Sequence, residues 1–168
     1  MQLLMIRHAI AEEREDFART GKDDHLRPLT DEGRRKMKQG AKGLKKLVPN
    51  IDLLATSPLT RAAQTGAIVD SIYGGLREVE VEELSPDTTA VRFLAWLRQK
   101  KDCGTVAVVG HEPSISLLLS WLLTGTERRL FSFRKGGACL LEFEGEVAAG
   151  TATLLWALTP QQLRELGG

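Results

Sequence analysis

The run Thr105-Val106-Ala107-Val108-Val109 restricts the fold most. Every residue in it is β-branched or apolar and no charge interrupts it, so the strand it predicts is buried on both faces. Such a strand belongs inside a mainly parallel sheet with helices on either side. The residues that follow agree: Gly110-His111-Glu112-Pro113 turns the chain, and Ser114 to Leu123 is an almost wholly apolar helix. Gln2 to Ile6 and Ile51 to Thr56 are two further short, mostly apolar strands, the second leading at once into a helical segment.

The intervening stretches complete the pattern. Glu12 to Pro28 is charged and aperiodic and reads as a long loop over whatever Arg7 and His8 face. His25 within it reads as an exposed imidazole rather than a ligand. Thr30 is a good N-cap, Asp31 and Glu32 suit the positive end of a helix dipole, and Met37, Ala41, Leu44 and Val48 follow at helical spacing until Pro49-Asn50. The other face carries Arg34, Arg35, Lys38, Lys42, Lys45 and Lys46, either a solvated face or a docking stripe for an acidic partner. Ser57 and Pro58 are expected to open the next helix, with Arg61 in its first turn and Gly74-Gly75 at its end.

Val79 to Leu84 predicts a third strand. Asp87 or Thr88 is then expected to cap a helix with Val91, Leu94, Ala95 and Arg98 at helical spacing. The last third predicts a short strand over Leu130 to Phe133, a hairpin from Ala138 to Phe143 and Thr151 to Ala157, and a closing helix from Thr159-Pro160-Gln161. Alternating strands and helices followed by a hairpin predict an α/β fold, a three-layer α/β/α sandwich around a mixed, mainly parallel sheet. With 168 residues and no repeat or linker, a single domain over residues 1–168 is expected.

Bulk properties exclude several function classes. A formal net charge of +1 supplies no field to draw the chain to nucleic acid or membrane, and no apolar run is long enough to span a bilayer. Cys103 and Cys139 are too few for a disulfide framework or a zinc site. Arg7 and His8 interrupt the N-terminal apolar stretch, which therefore does not read as a signal peptide. The expectation is a cytoplasmic protein without a nucleic-acid or membrane partner.

Three predicted strand ends deliver Arg7-His8, Arg61 and His111 to one edge of the sheet, where open α/β sheets hold their ligands. His111 also precedes a helix N-terminus, where backbone N–H groups favour an anion. A phosphoryl group carries about two negative charges. Two guanidiniums can grip it with bidentate geometry, each charge-assisted hydrogen bond contributing about 1.5–3 kcal/mol. An imidazole beside two guanidiniums stays neutral and keeps a lone pair for attack on phosphorus, and a second imidazole can stabilise the transferring oxygens. No acidic triad or glycine-rich lysine loop is present to hold magnesium, so neither a metal nor another cofactor is expected.

Leu4-Met5-Ile6-Arg7-His8-Ala9, Thr56 to Thr65 (with Ser57-Pro58-Leu59-Thr60-Arg61-Ala62) and Val109-Gly110-His111-Glu112-Pro113 together resemble the histidine phosphatase superfamily, also called phosphoglycerate mutase-like. The short chain, Arg27-Pro28-Leu29-Thr30 before the first long helix, Glu83-Leu84-Ser85-Pro86 and the hairpin ending at Leu158-Thr159-Pro160 resemble its small SixA phosphohistidine phosphatase subgroup. The resemblance implies that His8 is the nucleophile, passing through a phosphohistidine that water hydrolyses. It implies that Arg7 and Arg61 bind the phosphoryl oxygens and that His111 completes the pocket. It points to Glu83, beside Glu82, as the acid, the alternative being a pair of surface glutamates.

The chain departs from the wider family at Ala9, where a glycine is usual, and in lacking a large insertion over the pocket. A mutase must keep its phosphorylated enzyme from water, so the missing lid argues against a sugar-phosphate mutase. An open pocket admits protein-borne phosphate, and a phosphohistidine's imidazole leaves with less acid help than an alkoxide. Three functions follow. The first is a metal-independent phosphatase acting on a phosphorylated protein of the histidine phosphotransfer type. The second is a broad phosphomonoesterase on small phosphate esters. The third is a non-catalytic phospho-ligand binding protein using the same pocket.

Overall fold

The computed structural model describes all 168 residues. Six strands form one sheet: β1 (Gln2–Arg7), β2 (Leu53–Thr56), β3 (Glu78–Glu80), β4 (Thr105–Gly110), β5 (Ala138–Glu142) and β6 (Thr153–Leu158), in the order β3-β2-β4-β1-β5-β6. The first four run parallel and β5 is antiparallel to both β1 and β6, so the sheet is mixed and mainly parallel, as expected.

Alternation along the central strands divides the core in two. Leu3, Met5, Leu53, Ala55, Val106 and Val108 face one side, packing on Phe93, Leu94 and Leu97 of α4 (Ala90–Arg98) and Ile115, Leu119 and Leu122 of α5 (Ser114–Thr124). Leu4, Ile6, Leu54, Ala107 and Val109 face the other. That side is covered by α2 (Asp31–Leu47), α3 (Thr60–Tyr73) and α6 (Pro160–Gly167). Both faces bury apolar area, which is why the central strands read as unbroken hydrophobic runs. Gly43 of α2 lets that helix approach α6 closely: a Cβ there would lie 2.0 Å from the Leu163 carbonyl oxygen.

Register fixes which residues share an edge. Arg7 stands opposite Gly110, and Thr56 opposite Val109. His8 N–H then donates to Gly110 O (3.0 Å) and Ser57 N–H to Val109 O (3.1 Å). His8, Ser57 and His111 therefore leave three adjacent strands at one level.

Several local expectations need correction. The strand expected over Val79 to Leu84 is β3 followed by a 3-10 turn at Glu82–Leu84, because β2 ends at Thr56 and its carbonyl takes the last ladder bond, from Val81 N–H. Leu130 to Phe133 forms no strand: Phe133 gives its N–H to the Glu112 carboxylate and its carbonyl to Arg7. Thr89, not Asp87 or Thr88, caps α4, and Val91 is exposed while Phe93 and Leu97 fill the core. The expected loop from Glu12 to Pro28 contains α1 (Arg14–Ala18) and a 3-10 turn at Asp24–Leu26. Ser57 caps nothing: α3 starts at Thr60, and the wholly buried Ser57 hydroxyl faces His111.

Candidate active site

β1 is the innermost mount. Its last residue, Arg7, is half-buried, and Nη1 donates to Phe133 O at 2.5 Å. His8 follows, 6% exposed, with Nδ1 2.7 Å from Ala9 O. A carbonyl only accepts, so the proton sits on Nδ1 and the lone pair of a neutral ring sits on Nε2. Neutrality is enforced: burial, then the charges of Arg61, Arg7 and Arg27, outweigh the Ala9 bond and bring the His8 pKa down to about 3. Ala9 N–H donates to Thr65 Oγ1 (3.0 Å), whose hydroxyl donates to Arg61 O (2.7 Å). This ties the end of β1 to the first turns of α3.

Arg61 is 3% exposed. Its Nη1 lies 3.1 Å from Asp24 O and 3.3 Å from Asp24 Oδ2. Asp24 also accepts from Arg27 Nε at 2.7 Å, while Arg27 Nη1 donates to Glu12 O at 2.7 Å. Partial burial opposes ionisation of Asp24, but the Arg27 bond and the charges of Arg27, Arg61 and Arg14 hold its carboxyl below the ordinary value. One carboxylate thus aligns two guanidiniums, and both enter a pocket of about 200 Å³ with Arg7, Arg14, Lys135 and the two imidazoles.

His111, 2% exposed, stands across from His8 with ring centroids 5.1 Å apart. Its Nε2 meets Ser57 Oγ at 2.9 Å. Burial, then His8 and three arginines, brings its pKa down to about 2, so it too is neutral. Glu112 accepts Phe133 N–H at 2.7 Å and the Ser116 hydroxyl on the same oxygen. The buried side-chain polar atoms without a hydrogen-bond partner are Arg7 Nε, Arg61 Nε, His111 Nδ1 and Glu112 Oε2, the last lying 3.8 Å from Arg129 Nη2. All belong to residues lining this pocket, where unused hydrogen-bonding capacity suits a polar ligand.

The structure brings together Arg7, His8, Arg61 and His111. Glu83 is not on that pocket's wall: it lies 3.7 Å from Arg92 and lines a separate small cavity that His111 also lines. Glu82 instead lines an adjoining cleft with Arg61 and Asp87. His25 is exposed, as expected, though it lines the same cleft. Sequence reasoning missed Arg27, Lys135, Asp24 and Glu112 as parts of the site. Two of them carried a signal: Arg27 stands in the segment before the first long helix, and Glu112 directly follows His111.

Residues 3–85 match the profile of the histidine phosphatase superfamily (branch 1). An uncharacterized protein of Picosynechococcus sp. is 30% identical over 162 residues, covering 95% of this chain and 96% of that one. The phosphohistidine phosphatase SixA of Escherichia coli is 27% identical over 167 residues, covering 98% and 97%. Among solved structures, the protein histidine phosphatase SixA complexed with tungstate superposes with a TM-score of 0.82 at 24% identity, covering 97% of this chain and 99% of that one. A putative alpha-ribazole-5'-P phosphatase from Escherichia coli superposes with a TM-score of 0.74 at 21% identity, covering 95% and 97%. Two imidazoles and a cluster of guanidiniums at adjacent strand ends, together with these likenesses along nearly the whole chain, lead to one assignment: the chain belongs to the histidine phosphatase superfamily.

Proposed function

We propose that this protein is a phosphatase acting on phosphohistidine in proteins through a covalent phosphohistidine at His8. The observation that carries the reading is the state of His8: neutral, with Nδ1 anchored on Ala9 O and Nε2 left as the nucleophile among cations. Arg7, Arg27 and Arg61 would grip the phosphoryl oxygens, and each charge-assisted bond would contribute about 1.5–3 kcal/mol. Ser57 Oγ donating to His111 Nε2 would leave the imidazole proton on Nδ1, which no protein group uses, free for a phosphoryl oxygen.

In the first step the P–Nε2 bond to His8 forms as the substrate's P–N bond breaks. The leaving imidazole keeps the electron pair of that bond and departs neutral, because its other nitrogen is already protonated. In the second step water attacks phosphorus, the P–Nε2 bond breaks, its electrons return to His8, and inorganic phosphate leaves with the proton balance passing to solvent.

Likeness to SixA along nearly the full length supports the protein-borne substrate. So does the position of Glu83 off the pocket wall, since a P–N leaving group needs little acid. A second reading, small phosphate ester hydrolysis, is favoured by Glu82 and Asp87 in the cleft beside Arg61, where an alkoxide could find a proton. No helix is long and apolar enough to cross a membrane, and a cytoplasmic location with a reduced Cys103 and Cys139 fits the reading.

The test is a paired assay in EDTA, with a histidine-phosphorylated protein and a panel of small phosphate esters, for wild type and His8→Ala. Preferential turnover of the phosphoprotein, lost in His8→Ala, supports the proposal. Faster turnover of esters supports the second reading. Full activity in His8→Ala, or loss of activity in EDTA, overturns both.

A further inference from the structure

Lys135 lines the catalytic pocket and also a second concavity of about 430 Å³. This groove runs beside Ala9, between α2, the turn at residues 134–136 and the start of α6. Its charged lining is Lys36, Arg134, Lys135 and Arg164, with no carboxylate among them. Gly33, Gly40 and Gly136 leave much of its wall without side chains.

Structural cations are normally paired or spread apart. Two of these are paired: Lys36 with Glu32 (2.5 Å) and Lys135 with Glu13 (3.8 Å). Arg134 and Arg164 take part in none of the protein's ion pairs or side-chain hydrogen bonds. Glu32 and Glu13 partly offset Lys36 and Lys135, and Glu32 also feels the charge of Arg164, but the two guanidiniums without an ion-pair partner favour an incoming anion with planar, bidentate oxygens.

The groove is distinct from the basic stripe of α2. Gly33, Lys36, Met37 and Gly40 recur at helical spacing on the face turned to the groove. Arg34, Arg35, Lys38, Lys42, Lys45 and Lys46 lie on the opposite face. There Lys45 is already committed to the carbonyls of Ile72 (2.8 Å) and Tyr73 (3.4 Å).

We propose that this groove is a docking site for a carboxylate-rich surface on the substrate protein, seated next to the phosphorylated residue held at His8. The inference rests on the phosphoprotein reading and names the second contact that selects the partner. The groove meets the reaction pocket at Lys135, so one partner surface can fill both. Opposite charge across such a rim selects partners and speeds encounter more than it changes chemistry.

The test compares wild type with Arg134→Glu/Arg164→Glu, leaving Lys135 intact. Three substrates are used: free phosphohistidine, a histidine-phosphorylated protein of acidic surface, and one of neutral surface. The variant should lose about tenfold in kcat/KM on the acidic protein, mainly through KM, with a flatter salt dependence. Turnover of free phosphohistidine and of the neutral protein should stay within about twofold. Unchanged turnover of the acidic protein overturns the proposal. Equal loss on free phosphohistidine also overturns it, by assigning the arginines to the reaction pocket. If wild type hydrolyses no phosphohistidine, the functional reading fails separately, and fluorescence anisotropy with a labelled poly-glutamate decapeptide decides the groove. Binding lost in the variant retains the acidic-surface site; no binding, or displacement by stoichiometric inorganic pyrophosphate, overturns it.

Discussion

Replacing Glu112 separates a tether from a charge. Its Oε1 accepts Phe133 N–H at 2.7 Å, and Phe133 O in turn accepts Arg7 Nη1 at 2.5 Å. The carboxylate thus fixes the backbone that aims Arg7. Glu112→Ala strands the amide of Phe133, itself only 4% exposed, which costs about 1–3 kcal/mol. For a chain of this size that lowers Tm by about 2–12 °C. Released Arg7 loses one or more of its phosphoryl contacts, each worth about 1.5–3 kcal/mol, so kcat/KM falls by about 10- to 150-fold. Glu112→Gln keeps an oxygen for Phe133 N–H and for the Ser116 hydroxyl, and should recover most of both losses. Thermal denaturation and kcat/KM on free phosphohistidine read the two effects. Wild-type values in Glu112→Ala, or a glutamine variant as impaired as alanine, would refute the tether.

Other outcomes follow from the same geometry. Arg27→Ala should weaken inorganic phosphate binding by about tenfold or more, measured by calorimetry, because it removes a buried guanidinium and leaves Asp24 to Arg61 and Arg14. His8 and His111 are neutral in the folded protein, with pKa values of about 3 and 2 against an ordinary 6.5, so the unfolded chain binds more protons between those limits. Stability is therefore full above about pH 6.5 and falls as pH drops towards 3, by at most about 1.4 kcal/mol per pH unit for each histidine. Denaturant titrations at several pH values should show that slope, reduced in His8→Asn. Gly43→Ala should cost about 1–3 kcal/mol in thermal denaturation while leaving activity per folded molecule unchanged, since its Cβ would meet the Leu163 carbonyl and neither residue lines the pocket.

Residues whose role follows from one strand were legible in the sequence. Thr105 to Val109 reads as a doubly covered strand because nothing polar interrupts it, and the positions after β1, β2 and β4 follow once parallel register is granted. That placed His8, Arg61 and His111. Residues whose role depends on how a loop folds back were not legible. Arg27 lies in a charged stretch without periodicity, and only the Asp24 bridge to Arg61 turns it into the pocket. Phe133 reads as a strand residue from its apolar neighbours, but its N–H and C=O are taken by the side chains of Glu112 and Arg7. Ser57 has the composition of a cap, yet tertiary contact with His111 outweighs local preference. Glu83 and Glu82 are adjacent in sequence and cannot be ranked without the 3-10 turn that directs one to Arg92 and the other to the cleft.

The most direct test of the covalent mechanism is to mix enzyme with a histidine-phosphorylated protein, quench rapidly in alkali, and locate phosphorus on the enzyme by mass spectrometry and phosphorus NMR. The account predicts one acid-labile phosphoryl group on Nε2 of His8, absent from His8→Ala. Turnover with no phosphorylated enzyme at any time point, or a phosphoryl group on another residue, would contradict it.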